Sequence, residues 1–102
     1  MSEFDMYECA ERRRFRGKVF LFERCILYTE QIDKEHLIYK GHYEDDKLGM
    51  MSCTDYKFKL FSQRINQQEI DFSSDINTIT DWTKRINDVL MIIVEKGKLK
   101  YI

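Results

Sequence analysis

No proline occurs anywhere in the chain. The firmest breaker of helices and strands is therefore missing, and Gly17, Gly41, Gly49 and Gly97 are left as the punctuation. These glycines are scattered, so no glycine-rich phosphate cradle exists. Cysteine is scarce and odd in number: Cys9, Cys25 and Cys53 share no C-x-x-C spacing, which argues against a disulfide framework or a zinc site and for free thiols in a reducing compartment. No apolar run approaches the ~20 residues that span a bilayer, and no secretory core follows Met1. Neither sign of charge dominates. The formal net charge is -1 and the isoelectric point near 6.1, which argues against a nucleic-acid partner. His36 and His42 lack a third ligand at metal spacing, and Ser52, Cys53, Thr54 and Asp55 have no positioned histidine base. The expectation is no catalytic residue, no metal and no cofactor.

What is present is a chain of 102 residues, long enough for one domain to bury roughly two-thirds of the surface its unfolded form exposes. The stretch from Glu11 to Glu30 organises it. Positive charge at Arg12, Arg13, Arg14, Arg16 and Lys18, expected as a loop, runs into Val19 to Phe22 and then Cys25 to Tyr28, residue types that suit a pleated surface. Glu23-Arg24 between them predicts a tight hairpin turn. Upstream, Phe4 to Cys9 alternates loosely and predicts a first strand. Gln31 to Glu35 is a polar connection, and His36 to Lys40 resumes strand chemistry until Gly41, where a bulge or bend is expected.

After an acidic turn at Asp45-Asp46, Leu48 to Met51 predicts a short strand. In the next, Tyr56, Phe58 and Leu60 share one face and Lys57 and Lys59 the other. Ser62 to Gln68 is a polar connection before a last strand carrying Ile70 and Phe72. The period then changes. Ile76, Ile79, Trp82, Ile86, Leu90 and Ile93 recur every three or four residues, an amphipathic helix over about 75–94 that Ser73, Ser74 or Asp75 caps. Gly97 and the lysines beyond Glu95 are expected to fray as a short basic tail.

Seven short strands over about 3–73 followed by one helix suit a bent barrel with the helix plugging its open end. The order RGKVFLFERCILYTE, LIYKGHYEDDKLGM, YKFKLF and a closing helix with Trp82 resembles the pleckstrin-homology domain of Dbl-family Rho guanine-nucleotide exchange factors. That resemblance covers nearly all of residues 1–102. It implies a mainly β fold, a seven-stranded bent barrel of two near-orthogonal antiparallel sheets capped by one C-terminal helix, with Trp82 packed into the mouth. It also implies that exchange activity resides in a helical domain preceding this one, for which the strand so soon after Met1 leaves no room. The chain is then an excised module or a shortened polypeptide, not an enzyme alone.

In relatives that bind phosphoinositides tightly, a lysine late in the first strand joins a basic-x-Arg pair early in the second. Arg14-Phe15-Arg16 and Arg16-Gly17-Lys18 resemble the pair, but residues 1–11 hold no lysine or arginine. The resemblance therefore implies weak contact with anionic membrane lipids, through Arg12, Arg13, Arg14, Arg16, Lys18 and Lys34. The other implied partners are a neighbouring exchange domain and a Rho-type GTPase, met in the cytoplasm at the membrane periphery. The contrasting expectation is a protein-interaction module of the same barrel shape without lipid binding.

Overall fold

A computed structural model describes residues 1–44, 47–62 and 68–100, with side chains described up to residue 91. The strands are β1 (Ser2–Glu8), β2 (Arg13–Leu21), β3 (Cys25–Gln31), β4 (Leu37–Glu44), β5 (Leu48–Thr54), β6 (Lys57–Ser62) and β7 (Ile70–Ser73). One helix, α1 (Ile76–Lys100), closes the order.

All seven strands join one antiparallel sheet in the order β4-β3-β2-β1-β7-β6-β5. The sheet curls: Tyr43 on β4 donates its hydroxyl to the carbonyl of Leu60 on β6 at 3.5 Å, and the Tyr28 and Phe72 rings lie 6.4 Å apart. The expected mainly β barrel with a terminal helix is what forms. Alternation explains it. Phe4 and Met6 of β1, Phe15 and Val19 of β2, Ile26 and Tyr28 of β3, Phe58 and Leu60 of β6, and Ile70 and Phe72 of β7 all point inward and are buried. Gly41 lies where the β3 to β4 register slips between Tyr28 and Thr29, so the expected irregularity is a bulge with Lys40 as its extra residue.

Phe4 is the hub of the core. Its ring meets Phe58, Phe72 and Trp82 edge-on, with centroids 5.7, 5.7 and 5.3 Å away. Ile79, Trp82 and Ile86 place one face of α1 on that core, and the indole Nε1 donates to Ser2 Oγ at 2.8 Å. Asp75 is the cap: its carboxylate accepts from the Thr78 backbone N–H at 2.8 Å and from the Thr78 hydroxyl at 3.0 Å. Those bonds, the backbone one foremost, hold the Asp75 carboxyl below its ordinary value.

Four expectations need correction. The basic stretch is not a loop: β2 begins at Arg13, because pairing with β1 carries the strand beyond the apolar run, and residues 9–12 alone connect the two. Phe22 lies past the end of β2, and Tyr56 lies in the turn before β6, so both rings are exposed. Ile76 occupies the first helical position, before the turn that meets the core, and is exposed. The helix continues through Lys100 instead of fraying after Glu95, since one glycine costs a helix only about 1 kcal/mol and its neighbours are good helix formers. The Asp45-Asp46 turn, most of the Ser62 to Gln68 connection and the Ile93 side chain lie outside what is described.

Candidate functional site

The tip of the β1 to β2 hairpin with the adjoining part of β2, and the loop between β3 and β4 (residues 32–36), together carry all six candidate cations. Strand alternation divides those cations. Arg14, Arg16 and Lys18 lie on the outer face of β2, whereas Arg13 precedes the buried series Phe15, Gly17, Val19 and turns toward the barrel mouth. Arg12 sits at the hairpin tip, exposed, with φ at 51°. Lys34 is exposed in the β3 to β4 loop.

At the mouth, Arg13 forms a two-pronged pair with Glu30, Nη1 to Oε1 at 2.8 Å and Nη2 to Oε2 at 2.6 Å. Lys40, turned inward by the bulge, lies 3.4 Å from Glu8 Oε1 and 3.7 Å from Glu30 Oε1. Both cations cover the Phe15 ring, Arg13 at 5.6 Å and Lys40 at 5.3 Å from its centroid. This is a lid of two cations and two anions over an aromatic floor. The Arg13 hydrogen bonds hold the Glu30 carboxyl below its ordinary value, and the same bonds raise Arg13. Below the lid, burial raises the Tyr28 hydroxyl to about 12 and raises Tyr43 as well. Both hydroxyls bond Gln68: Tyr28 accepts from its side-chain nitrogen at 3.0 Å, and Tyr43 donates to its carbonyl at 2.7 Å.

On the outer face the register sets cation against anion. Lys18 stands opposite Glu3, Arg16 opposite Asp5 and Arg14 opposite Tyr7. Arg16 donates to Asp5 Oδ1 at 3.0 Å and to Glu3 Oε2 at 3.2 Å, the Asp5 bond being the larger cause of its raised pKa. Arg14 lies over the Tyr7 ring, 5.3 Å from its centroid. Among the described residues, Arg12, Arg14, Lys18 and Lys34 meet no carboxylate within ion-pair distance.

Two open grooves flank the hairpin. One is lined by Glu3, Arg16, Gly17, Lys18, Gln31, Asp33 and Lys34, and so brings three of the six candidate cations together. The other is lined by Arg14 with Asp5, Met6, Tyr7, Phe15 and Ser73. Arg12 and Arg13 line neither. Gly17 shapes the first groove's floor, where a Cβ would stand 1.8 Å from the Thr29 carbonyl oxygen. Thr29 ties the strands there, its hydroxyl accepting from Lys18 N–H at 3.1 Å and donating to Lys18 O at 2.8 Å.

Sequence reasoning overlooked Lys40, Tyr7 and the acids Glu3 and Asp5. The last three were available from simple counting, because an antiparallel hairpin with a four-residue connection places Tyr7, Asp5 and Glu3 opposite Arg14, Arg16 and Lys18. Lys40 had no such signal, since only the bulge turns it inward. Neither histidine takes part. His36 holds Asp33 through Nδ1 at 2.7 Å, and His42 Nδ1 meets the Tyr39 hydroxyl at 2.6 Å. No group of three or more potential metal ligands stands together among the described residues.

Comparison with known proteins agrees with the fold. Residues 2–89 match the family model described as SOS1/NGEF-like PH domain. No curated protein matches the chain in sequence. Among solved structures, an inhibited Vav1 superposes at a TM-score of 0.71 and 11% identity, covering 87% of this chain and 25% of its own. The DH/PH domains of PDZ-RhoGEF in complex with activated RhoA give 0.71 at 10% identity, covering 91% and 29%. The Slm1 PH domain with inositol-4-phosphate gives 0.68 at 11%, covering 86% and 92%. The chain thus spans between a quarter and a third of the exchange-factor structures but nearly all of the isolated domain.

Proposed function

This chain belongs to the SOS1/NGEF-like PH domain family, and on that premise we propose that it is the regulatory module of a Rho-type guanine-nucleotide exchange factor. In this reading it makes weak contact with anionic membrane lipid and positions a neighbouring exchange domain, at the cytoplasmic face of the membrane. Exchange chemistry belongs to that helical neighbour and the Rho-type GTPase it engages. The PH module itself is not catalytic, and its contribution is placement. Fold neighbours in both contexts support the assignment, since PDZ-RhoGEF is seen with RhoA and Slm1 with inositol-4-phosphate.

One observation carries the lipid contact: among the described residues, Arg12, Arg14, Lys18 and Lys34 meet no carboxylate within ion-pair distance, while Arg13 and Arg16 are engaged by acids. Each such cation near an anionic leaflet contributes roughly 1 kcal/mol, screened by salt. Four cations spread over two grooves and a tip give charge attraction without a fitted headgroup pocket.

The test is sedimentation with phosphatidylserine and phosphoinositide vesicles. Changing Arg12, Arg14, Lys18 and Lys34 together to alanine is expected to lower binding at least about tenfold at low salt, and raising salt should weaken the wild type in the same direction. Equal binding by the two proteins discards the lipid reading in favour of a protein-interaction module.

A further inference from the structure

The groove between β1, β2 and the β3 to β4 loop carries its own anions. Both terminal nitrogens of Arg16 are already bonded, one to Asp5 and one to Glu3. A phosphate clamped by this arginine competes with these carboxylates for its five N–H donors and its charge, because the guanidinium fork binds carboxylate and phosphate alike. On the far wall Asp33 stands beside Lys34, its carboxylate accepting from the backbone N–H groups of Glu35 and His36 at 2.9 and 3.0 Å.

We infer that Glu3 and Asp5 are a built-in counter-ligand for Arg16, holding this groove below the affinity for a phosphate-bearing headgroup and restricting the module to diffuse charge contact. The inference rests on the lipid reading above for its biological setting, and on the β1 to β2 register for its geometry. That register places Asp5 directly opposite Arg16 and Glu3 opposite Lys18, both in the outward row that holds the cations. The acids therefore stay beside the cations whatever the rotamers do. At 51% and 69% side-chain exposure, Glu3 and Asp5 are not required by the core, so removing their charge leaves the fold standing. Specificity here comes from anions placed against the wrong ligand as much as from cations placed for the right one.

The experiment compares the wild type with the double variant Glu3→Gln/Asp5→Asn. Partition onto phosphatidylserine vesicles and phosphoinositide vesicles is measured, together with calorimetric titration by a free inositol phosphate. A charge-matched control, Glu23→Gln/Asp88→Asn, removes two exposed acids that line neither hairpin groove. With each local charge worth up to about fivefold and partly screened, the double variant is expected to bind vesicles on the order of tenfold tighter. The control should change less than about twofold on the same scale, and adding Arg16→Ala to the double variant should cancel the gain. A gain confined to vesicles assigns the phosphate to the lipid surface, and one shared by the free inositol phosphate assigns it to the headgroup; both support the counter-ligand. No gain beyond the control, or a gain that survives Arg16→Ala, overturns it. The two readings fail separately. If the four-alanine variant binds as the wild type does, the lipid contact is lost, yet an Arg16-dependent gain in the double variant would still establish Glu3 and Asp5 as the brake.

Discussion

The two ends of this barrel are built from opposite chemistry. At the helix end, Phe4, Phe58, Phe72 and Trp82 interlock edge-on and stacked, all nearly free of solvent. At the hairpin end, a floor of one aromatic ring, Phe15, lies under Arg13, Lys40, Glu8 and Glu30. The first arrangement stabilises through area removed from water and packing, which are insensitive to salt. The second is made of ion pairs at the rim, with Arg13 half-exposed and Glu8, Glu30 and Lys40 largely covered, and it decides what charge is left over. Separation of this kind lets recognition change without unfolding the domain.

The contrast is most severely tested at Trp82. Replacing it with alanine empties the centre of the helix end and removes the hydrogen bond to Ser2, with an expected loss of about 3–5 kcal/mol in denaturant unfolding. A loss below about 1 kcal/mol would mean that stability is not stored at that end. Gly17 probes the boundary between the regions, since it belongs to the charged strand but is packed against Thr29. Gly17→Ala forces β2 and β3 apart and is expected to cost about 1–3 kcal/mol by the same measurement.

The smallest effect is expected inside the charged lid. Glu30→Gln should cost about 1 kcal/mol at neutral pH, because the amide oxygen keeps a hydrogen bond from Arg13 and only the charge is lost. Its acid behaviour is more telling. Because the folded-state value lies below the ordinary 4.5, Glu30 stabilises the fold above that pH and loses its contribution as pH falls through the folded value. The wild type should therefore lose stability on acidification below about pH 4.5 more steeply than Glu30→Gln, as read from thermal melts across pH. Asp33 and Asp75, also depressed, contribute with the same sign in both proteins.

Much of the fold was legible in the residues because burial on one face of a strand imposes a period of two, and on a helix a period near three and a half. Phe58 and Leu60 announced β6 that way, and Ile79, Trp82 and Ile86 announced α1. Where packing does not reach, the pattern misled: Tyr56 and Ile76 fit the period but stand at element ends, outside the core. The basic run was mistaken for a loop because polar residues on a solvent-facing strand carry no apolar signal of their own. Only pairing with β1 shows them to be strand.

The sequence by itself determined the element order, the core faces of β6, β7 and α1 away from their ends, and the presence of a cationic segment, since these follow from local periodicity and composition. Which cations remain available was decided by the contacts made in space. Arg13 is taken up by Glu30, seventeen positions away, and Arg16 by Asp5 and Glu3, eleven and thirteen away. Coulomb attraction depends on distances in space: the hairpin register that faces Asp5 toward Arg16 can be counted along the chain, but the bulge and curl that bring Glu30 and Lys40 to Arg13 exist only in the fold.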